Sequence, residues 1–300
     1  MIRRNFVNSE KHLIELFNNC GSFNYNGIDF EVLVCGKPRP NSGECKTDIY
    51  VMARNKRSDE KTEFKISIKQ SNADFLENKI QLNRTKEIFG EDAQKIIYDS
   101  IQPIRDKFIS DFLINFKAEG RTEKFCIKIG WKFELLNKPC GYKSGKIELS
   151  QKQMLDIYSG INLDPDKRNC TVEGLTIQNS GVANSIMIVD RQDQDLPYYL
   201  GKMQAIEEYI KDKGIYFACK ALNYRCLKSK WDGDRPLAVY VDWKLIDNKL
   251  VGNIVFDKPL SVRGNQIGNN IREILEYLGI DKNNFCELKR YISPYVNIIP

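Results

Sequence analysis

Asp48, Ser67 and Lys69 are the residues of this 300-residue chain whose types and spacing could do chemistry. Residues 43–75 read as a β-hairpin with arms at 46–53 and 62–70. Between the arms, residues 55–60 are six polar side chains, the usual composition of a connection between strands. A turn centred between Arg57 and Ser58 puts Asp48 across from Ser67 and Lys46 across from Lys69, because facing residues of an antiparallel pair sum to a constant. Strand side chains alternate, so Phe64, Ile66 and Ile68 point toward a core while Glu63, Lys65, Ser67 and Lys69 share the other face. A carboxylate and an ammonium then lie on one polar surface.

The chain has one histidine, His12, near the start of a helix and expected to be a surface or satisfied residue. Mechanisms built on histidine pairs, or on Cys-His or Ser-His-Asp sets, have almost nothing to work with. Phosphodiester cleavage without histidine needs another source of hydroxide and of positive charge, and a divalent metal supplies both. Mg2+, with Mn2+ as a substitute, takes oxygen ligands and keeps several waters, so one or two carboxylates, a backbone carbonyl and the phosphate suffice. Asp48 and the carbonyl of Ile68 are the expected metal ligands, and Lys69 the group that orients the attacking water.

Composition frames this reading. The 42% hydrophobic and 29% charged content is that of a globular protein with a full core. No apolar run approaches the ~20 residues of a membrane span, and MIRRNFVNSEKH has no secretion-signal core, so a cytoplasmic location without membrane contact is expected. Nine scattered cysteines lack any Cys-x-x-Cys pair. A zinc site is thereby disfavoured, and the thiols are expected to be mostly small buried residues in a reducing compartment. The net charge of +6 is uneven: residues 1–150 hold 26 Lys+Arg against 21 Asp+Glu, and residues 151–300 hold 20 against 19. Such a field favours a polyanion without requiring one.

The elements that must position the hairpin follow from periodicity and punctuation. A helix is predicted over 9–20, with Phe6, Glu10, Leu13, Phe17 and Cys20 on one stripe, and a strand over 28–35. A helix capped by Asp74 runs to Phe89. Further helix spans 91–117, interrupted by Pro103, with Ile104, Phe108, Phe112 and Phe116 buried. Residues 125–135 alternate without a fault and form a strand. The Gly/Pro-rich basic loop 137–146 marks the expected seam between an amino-terminal core that carries the hairpin, 1–140, and a carboxyl-terminal α+β region, 141–300. That region is predicted to hold a helix at 150–158, a strand at 185–190, a helix at 199–213, a strand at 215–222, a hairpin at 237–256 turning at Asp247-Asn248, and a final helix through Ile267, Ile271, Ile274, Leu275 and Leu278. The fold class is α/β, a mixed central sheet flanked by helices.

Lys46-Thr47-Asp48 followed by Ser67-Ile68-Lys69 resembles the PD-(D/E)xK nuclease superfamily, and the order of elements looks like that family's restriction-endonuclease-like core. The closer likeness is to type II restriction endonucleases of the MspI branch, whose motif also reads Lys-Thr-Asp and carries an amide residue before x-Lys. Ser67 departs from both the acidic and the amide form, which leaves the second metal ligand open. The resemblance covers residues 9–135 as topology and 43–75 as motif. It implies Mg2+-dependent cleavage of double-stranded DNA at a short sequence, with a cognate DNA methyltransferase as functional partner and a homodimer as one assembly.

Glu63-Phe64-Lys65 is a literal E-x-K on the same face and offers a rival register. It lies four residues earlier, ~13 Å along the strand, so the two cannot serve one metal with Asp48. Glu10, the odd acid on its apolar stripe, and Glu31 are each either an additional metal carboxylate or an ordinary surface acid. Lys128, Lys132, Lys138, Lys143 and Lys146, with Tyr142 among them, could track phosphates or be a solvated face. For base contacts the candidates are Arg263, Asn265 and Gln266 within SVRGNQIGNNIR, and Arg225, Lys228 and Lys230 beside Trp231. Two other readings stay open: a structure-selective or repair nuclease of the same superfamily, and a non-catalytic DNA-binding protein with a degenerate site.

Overall fold

The computed structural model describes residues 2–70, 75–77 and 80–300, with the side chains of residues 2–8 outside the description. The chain is mixed α/β and divides into two interleaved units, Met1–Asp74 with Leu149–Gly214, and Phe75–Glu148 with Ile215–Pro300. Neither unit corresponds to the expected halves 1–140 and 141–300. The basic loop at 137–146 reads as a linker by composition, yet residues Ser144–Ile147 form a strand that pairs with Ile215–Arg225.

In the first unit, α1 (Ile2–Cys20) precedes the antiparallel strands β1 (Ser22–Tyr25), β2 (Ile28–Gly36), β3 (Ile49–Asn55) and β4 (Lys61–Gln70). The strand Ser185–Val189 lies parallel to β4 on its far side, and Met203–Ala205 completes the six-stranded sheet. Parallel neighbours cannot be joined by a tight turn. Here the connection includes the helix Gln151–Ser159, opened by a Ser150 capping box and ended by Gly160 in the left-handed conformation.

Alternation in β4 works as its sequence requires: Phe64, Ile66 and Ile68 enter a core with Ile49, Val51 and Ala53 of β3 and with Leu13 and Phe17 of α1. Phe23, Phe30 and Phe64 meet there with ring centroids 5.2–5.5 Å apart. The β3–β4 turn is closed by Asn55, whose side-chain oxygen accepts the N–H groups of Arg57 and Ser58.

The second unit is built on the strand Cys126–Leu136, flanked by Ile215–Arg225 and Val239–Ile246. Ile127, Ile129, Trp131, Phe133 and Leu135 are buried on the predicted face, but Lys128 and Glu134 opposite them are buried too. Val239–Ile246 and Lys249–Val255 form the expected hairpin, with Asp247 and Asn248 both at positive φ, as a two-residue type I′ turn demands. The helix Gly264–Tyr277 carries Ile267, Ile271 and Leu275 inward.

Gly130 sits where two backbones nearly touch. Its φ is +155°, and a Cβ there would lie 2.5 Å from the Val239 carbonyl oxygen and 2.8 Å from the Tyr240 Cα. Gly130→Ala is expected to lower unfolding stability by about 3 kcal/mol. Denaturant midpoints measure this, and a loss within experimental error would mean that the strand pairing yields freely.

Several expected elements differ. Phe75–Glu77 is a strand paired with Leu135 and Leu136, and helix begins only at Leu82, because pairing to the central strand outweighs local propensity. The expected cap Asp74 lies outside the described residues, as does the side chain of Phe6. The 91–117 stretch breaks after Ile101 at Pro103 and ends in a short strand, Ile114–Asn115, which leaves Phe112 46% exposed while Ile104, Phe108 and Phe116 are buried. The 199–213 helix is a turn of helix at Leu196–Leu200, the edge strand Met203–Ala205 and another turn at Ile206–Tyr209; Gly201 ends the first, and the sheet edge claims residues 203–205. Cys20 is exposed rather than part of the α1 stripe. The strand at 125–135 belongs to the second unit, so it does not close the sheet that carries Asp48.

Candidate functional site

The β3–β4 ladder decides between the two registers. Ile49 pairs with Ile66, Tyr50 with Lys65 and Arg54 with Lys61, the pairing that centres the turn between Arg57 and Ser58. Glu63 pairs with Met52, so the rival register with Glu63 opposite Asp48 does not form. Glu63 instead accepts a hydrogen bond from the Tyr50 hydroxyl, and Lys65 lies 3.7 Å from its other oxygen.

Asp48 stands just ahead of β3 rather than within it. The regular ladder ends at Ile49–Ile66, so the expected Asp48–Ser67 and Lys46–Lys69 pairs are not part of it: the Asp48 N–H donates at 2.8 Å to the carbonyl of Ile66, the residue that already faces Ile49, the Lys46 N–H donates to the Gly181 carbonyl, and the Asp48 Oδ2 accepts the Ile68 N–H at 2.7 Å. The carboxylate thus replaces a backbone partner where β3 has not yet begun. Backbone N–H and C=O of one strand residue leave on the same edge, which directs the Ile68 carbonyl to the edge that Asp48 occupies. Ser67 is buried and Lys69 half-buried on the polar face of β4.

Four charged groups converge here. Burial pushes the Asp48 carboxyl up to about 6; the Lys69 ammonium and the Ile68 N–H pull it down, Glu10 pushes it further up, and Lys37 opposes that. Glu10 reaches the site from α1, only 4% exposed, and its carboxylate is bonded by the Lys37 ammonium. The odd acid on an apolar helix stripe therefore acts on Asp48 through its charge. Lys37 was not among the sequence candidates. It follows β2 immediately, and the Gly36–Tyr50 pairing carried one step further sets it beside the start of β3.

Asp48, Glu10 and the Ile68 carbonyl are oxygen donors of the kind Mg2+ takes, and that ion retains waters for its remaining positions. Among the described residues no three His, Cys, Asp or Glu side chains gather as a metal cluster. Glu31 is elsewhere: it pairs across the ladder with Arg54, six residues from Asp48 along β3, and the Arg54 guanidinium holds its carboxyl below the usual range. His12 is satisfied by the Gln194 carbonyl.

Glu10 also supplies a test. Glu10→Gln removes a negative charge that raises Asp48, so the Asp48 titration midpoint is expected to fall below 6. Carboxyl NMR titration reads it, and an unmoved midpoint would show that the two acids do not share a field.

The lysines and arginines of the second unit are largely engaged. Lys128 and Lys143 bracket Asp111 at 3.0 and 2.6 Å. Burial alone would raise that carboxyl, but the two ammoniums hold it below the usual range. Burial lowers the Lys128 ammonium despite Asp111. Lys132 bonds Glu134, faces Lys220 across the ladder, and Lys146 pairs with Glu148. Arg225 bridges Asp232 and Glu123, Lys228 joins Glu123, and Lys230 is exposed. Arg263 is held by Asp234 and Gln81, Gln266 accepts the Arg263 N–H, and the Asn265 N–H donates to Asp234. A phosphate or base edge reaching most of these groups has to displace an internal partner. Tyr142 is 70% exposed, with the Lys107 ammonium over its ring.

No protein-family model matches the chain, and no curated protein or solved structure matches it at a significant level. No helix of the described residues is long and apolar enough to cross a membrane.

Proposed function

We propose that this chain is a Mg2+-dependent endonuclease that hydrolyses double-stranded DNA at a short specific sequence, as a type II restriction enzyme of the PD-(D/E)xK kind does. One observation carries the reading: the Asp48 carboxylate accepts the Ile68 N–H at 2.7 Å, which seats it against the strand that carries Lys69. The element order supports it. An opening helix, antiparallel strands bearing the motif, a helix and a parallel strand succeed one another in the first unit, with residues 75–148 set between β4 and the rest.

Mg2+, when bound, supplies a Lewis acid for the phosphate and a water of lowered pKa. The chain's own groups do the remainder. Asp48 is fixed by the Ile68 N–H through one of its oxygens. Lys69 holds the attacking water by hydrogen bonding and offsets charge gathering on the phosphate, while Glu10, steadied by Lys37, contributes the second carboxylate. Water attacks phosphorus and gives up one proton to solvent, the P–O bond to the leaving sugar oxygen breaks, and that oxygen takes up a proton from solvent. The exposed basic residues and Tyr142 of the second unit are the proposed DNA contacts, and a cognate methyltransferase the proposed companion.

The test is direct. Purified protein incubated with phage DNA and Mg2+ should give discrete fragments, and EDTA should prevent them. Intact DNA across a range of salt and pH, with Mn2+ also tried, would overturn the assignment.

A further inference from the structure

The segment that delivers Asp48, residues 37–48, has no strand of its own and is strapped down by residues 161–182. Arg39 and Thr171 exchange backbone hydrogen bonds at 2.9 Å. The Asn41 N–H donates to the Asp166 carbonyl, and the N–H groups of Lys46 and Thr47 both donate to the Gly181 carbonyl.

Two thiols meet inside this seam. Cys45, half-buried, has its Sγ 3.2 Å from the Thr47 carbonyl; Cys170, buried, has its Sγ 3.2 Å from the Lys167 carbonyl. They also hydrogen-bond each other, which pushes the Cys45 thiol up and draws the Cys170 thiol down. Gly181 shows how tight the place is. A side chain there would begin 2.9 Å from the Cys45 Cβ, 2.8 Å from the Cys170 Sγ and 2.2 Å from the Lys167 carbonyl oxygen, so any residue but glycine collides with the pair.

We propose that Cys45 and Cys170 form a reversible dithiol, closed to a disulfide by a low-molecular-weight disulfide such as oxidised glutathione, and that closure latches the segment presenting Asp48. The division of labour follows from exposure: Cys45 can be reached from solvent, and Cys170 waits behind it. In the first step the Cys45 sulfur displaces one glutathione from oxidised glutathione, forming a mixed disulfide and releasing reduced glutathione. In the second, the Cys170 sulfur attacks the Cys45 sulfur, the mixed disulfide breaks, and the second glutathione leaves. The protein gives up two thiol protons and two electrons, and the oxidant becomes two molecules of thiol. Where structural disulfides are rare, a pair of this kind is redox-sensing rather than structural. Forming the bond takes the Cys45 sulfur from the Thr47 carbonyl, next to Asp48, and stiffens the strap from within. This inference does not rest on the nuclease reading.

The experiment uses the wild-type full chain. It is incubated with oxidised glutathione, blocked with iodoacetamide, digested without reduction and mapped by mass spectrometry. A Cys45–Cys170 linked peptide is expected, reversed by dithiothreitol and lost in Cys45→Ser and in Cys170→Ser. The exposed Cys20 and Cys286 report oxidant strength in the same sample. If they take up glutathione while Cys45 and Cys170 stay reduced, or while Cys45 stays a mixed disulfide, the dithiol is overturned. Amide hydrogen exchange tests the latch: closure should slow exchange over residues 44–49 about tenfold, and equal exchange in the linked and reduced protein would overturn it.

Discussion

Asp48→Asn is expected to abolish Mg2+-dependent cleavage, by about 10^3-fold or more, while raising the stability of the metal-free protein at pH 8. The activity loss follows from removing the charged ligand, worth several kcal/mol of transition-state charge stabilisation at 1.36 kcal/mol per tenfold. The stability gain follows from the carboxyl itself. Its folded value of about 6 lies above the ordinary carboxylate value, so the folded state holds this proton more tightly than the unfolded chain does. The stabilisation linked to it is full below the unfolded value near 4 and is lost as pH rises through 6. At pH 8 the ionised, partly desolvated carboxylate therefore costs about 3 kcal/mol, which asparagine avoids while still accepting the Ile68 N–H. Melting of the variant should come about 5 °C above wild type at pH 8 and level with it at pH 4. Retained cleavage would remove Asp48 from the mechanism, and a lower melting point at pH 8 would mean that its charge is a structural partner.

The same titration governs the metal. Because Mg2+ needs the ionised form, its affinity should climb about tenfold per pH unit below 6 and flatten above it. Calorimetry in buffers of different ionisation enthalpy should find about one proton released at pH 5 and almost none at pH 7.5.

Lys69→Met should lower cleavage by about 10^2 to 10^4-fold and leave DNA affinity nearly unchanged, the range expected when a group positioned to handle a proton is lost. Methionine keeps the length and packing of the stem and removes only the charge. Lys69 pulls the Asp48 carboxyl down, so the variant should also shift the onset of Mg2+ binding to higher pH, opposite in direction to Glu10→Gln. A lysine that merely decorated the strand would move neither quantity. A variant with full activity and an unshifted pH onset would leave the proposed mechanism without its amine.

The pairing of β3 with β4 was legible in the chain because polar residues 55–60 can only be a turn, and the turn's centre fixes the facing pairs as far as Ile49 and Ile66; the Asp48–Ser67 pair expected one step on did not follow, because Asp48 bonds the carbonyl of Ile66, which already faces Ile49. The apolar back of β4, the unbroken alternation of 125–135 and the Asp247-Asn248 hairpin were legible for the same reason: each is a local pattern with a single sheet geometry that satisfies it. Glu10 announced itself as an acid on an apolar stripe, but its neighbours did not, since Lys37 comes from a loop 27 residues later and meets it only once α1 lies on the sheet. The strand neighbouring β4 was likewise invisible. Residues 185–189 read as a strand, yet that they pair with β4, more than a hundred residues away and across an interposed unit, depends on which sheet edge remained open. Segments 75–77 and 203–205 became strands against their local helical pattern because an edge offered hydrogen bonds that a helix end did not. What the chain alone determined was which residues share a face; which faces meet was left to long-range pairing, where burial of apolar surface and satisfaction of backbone polar groups outweigh local propensity.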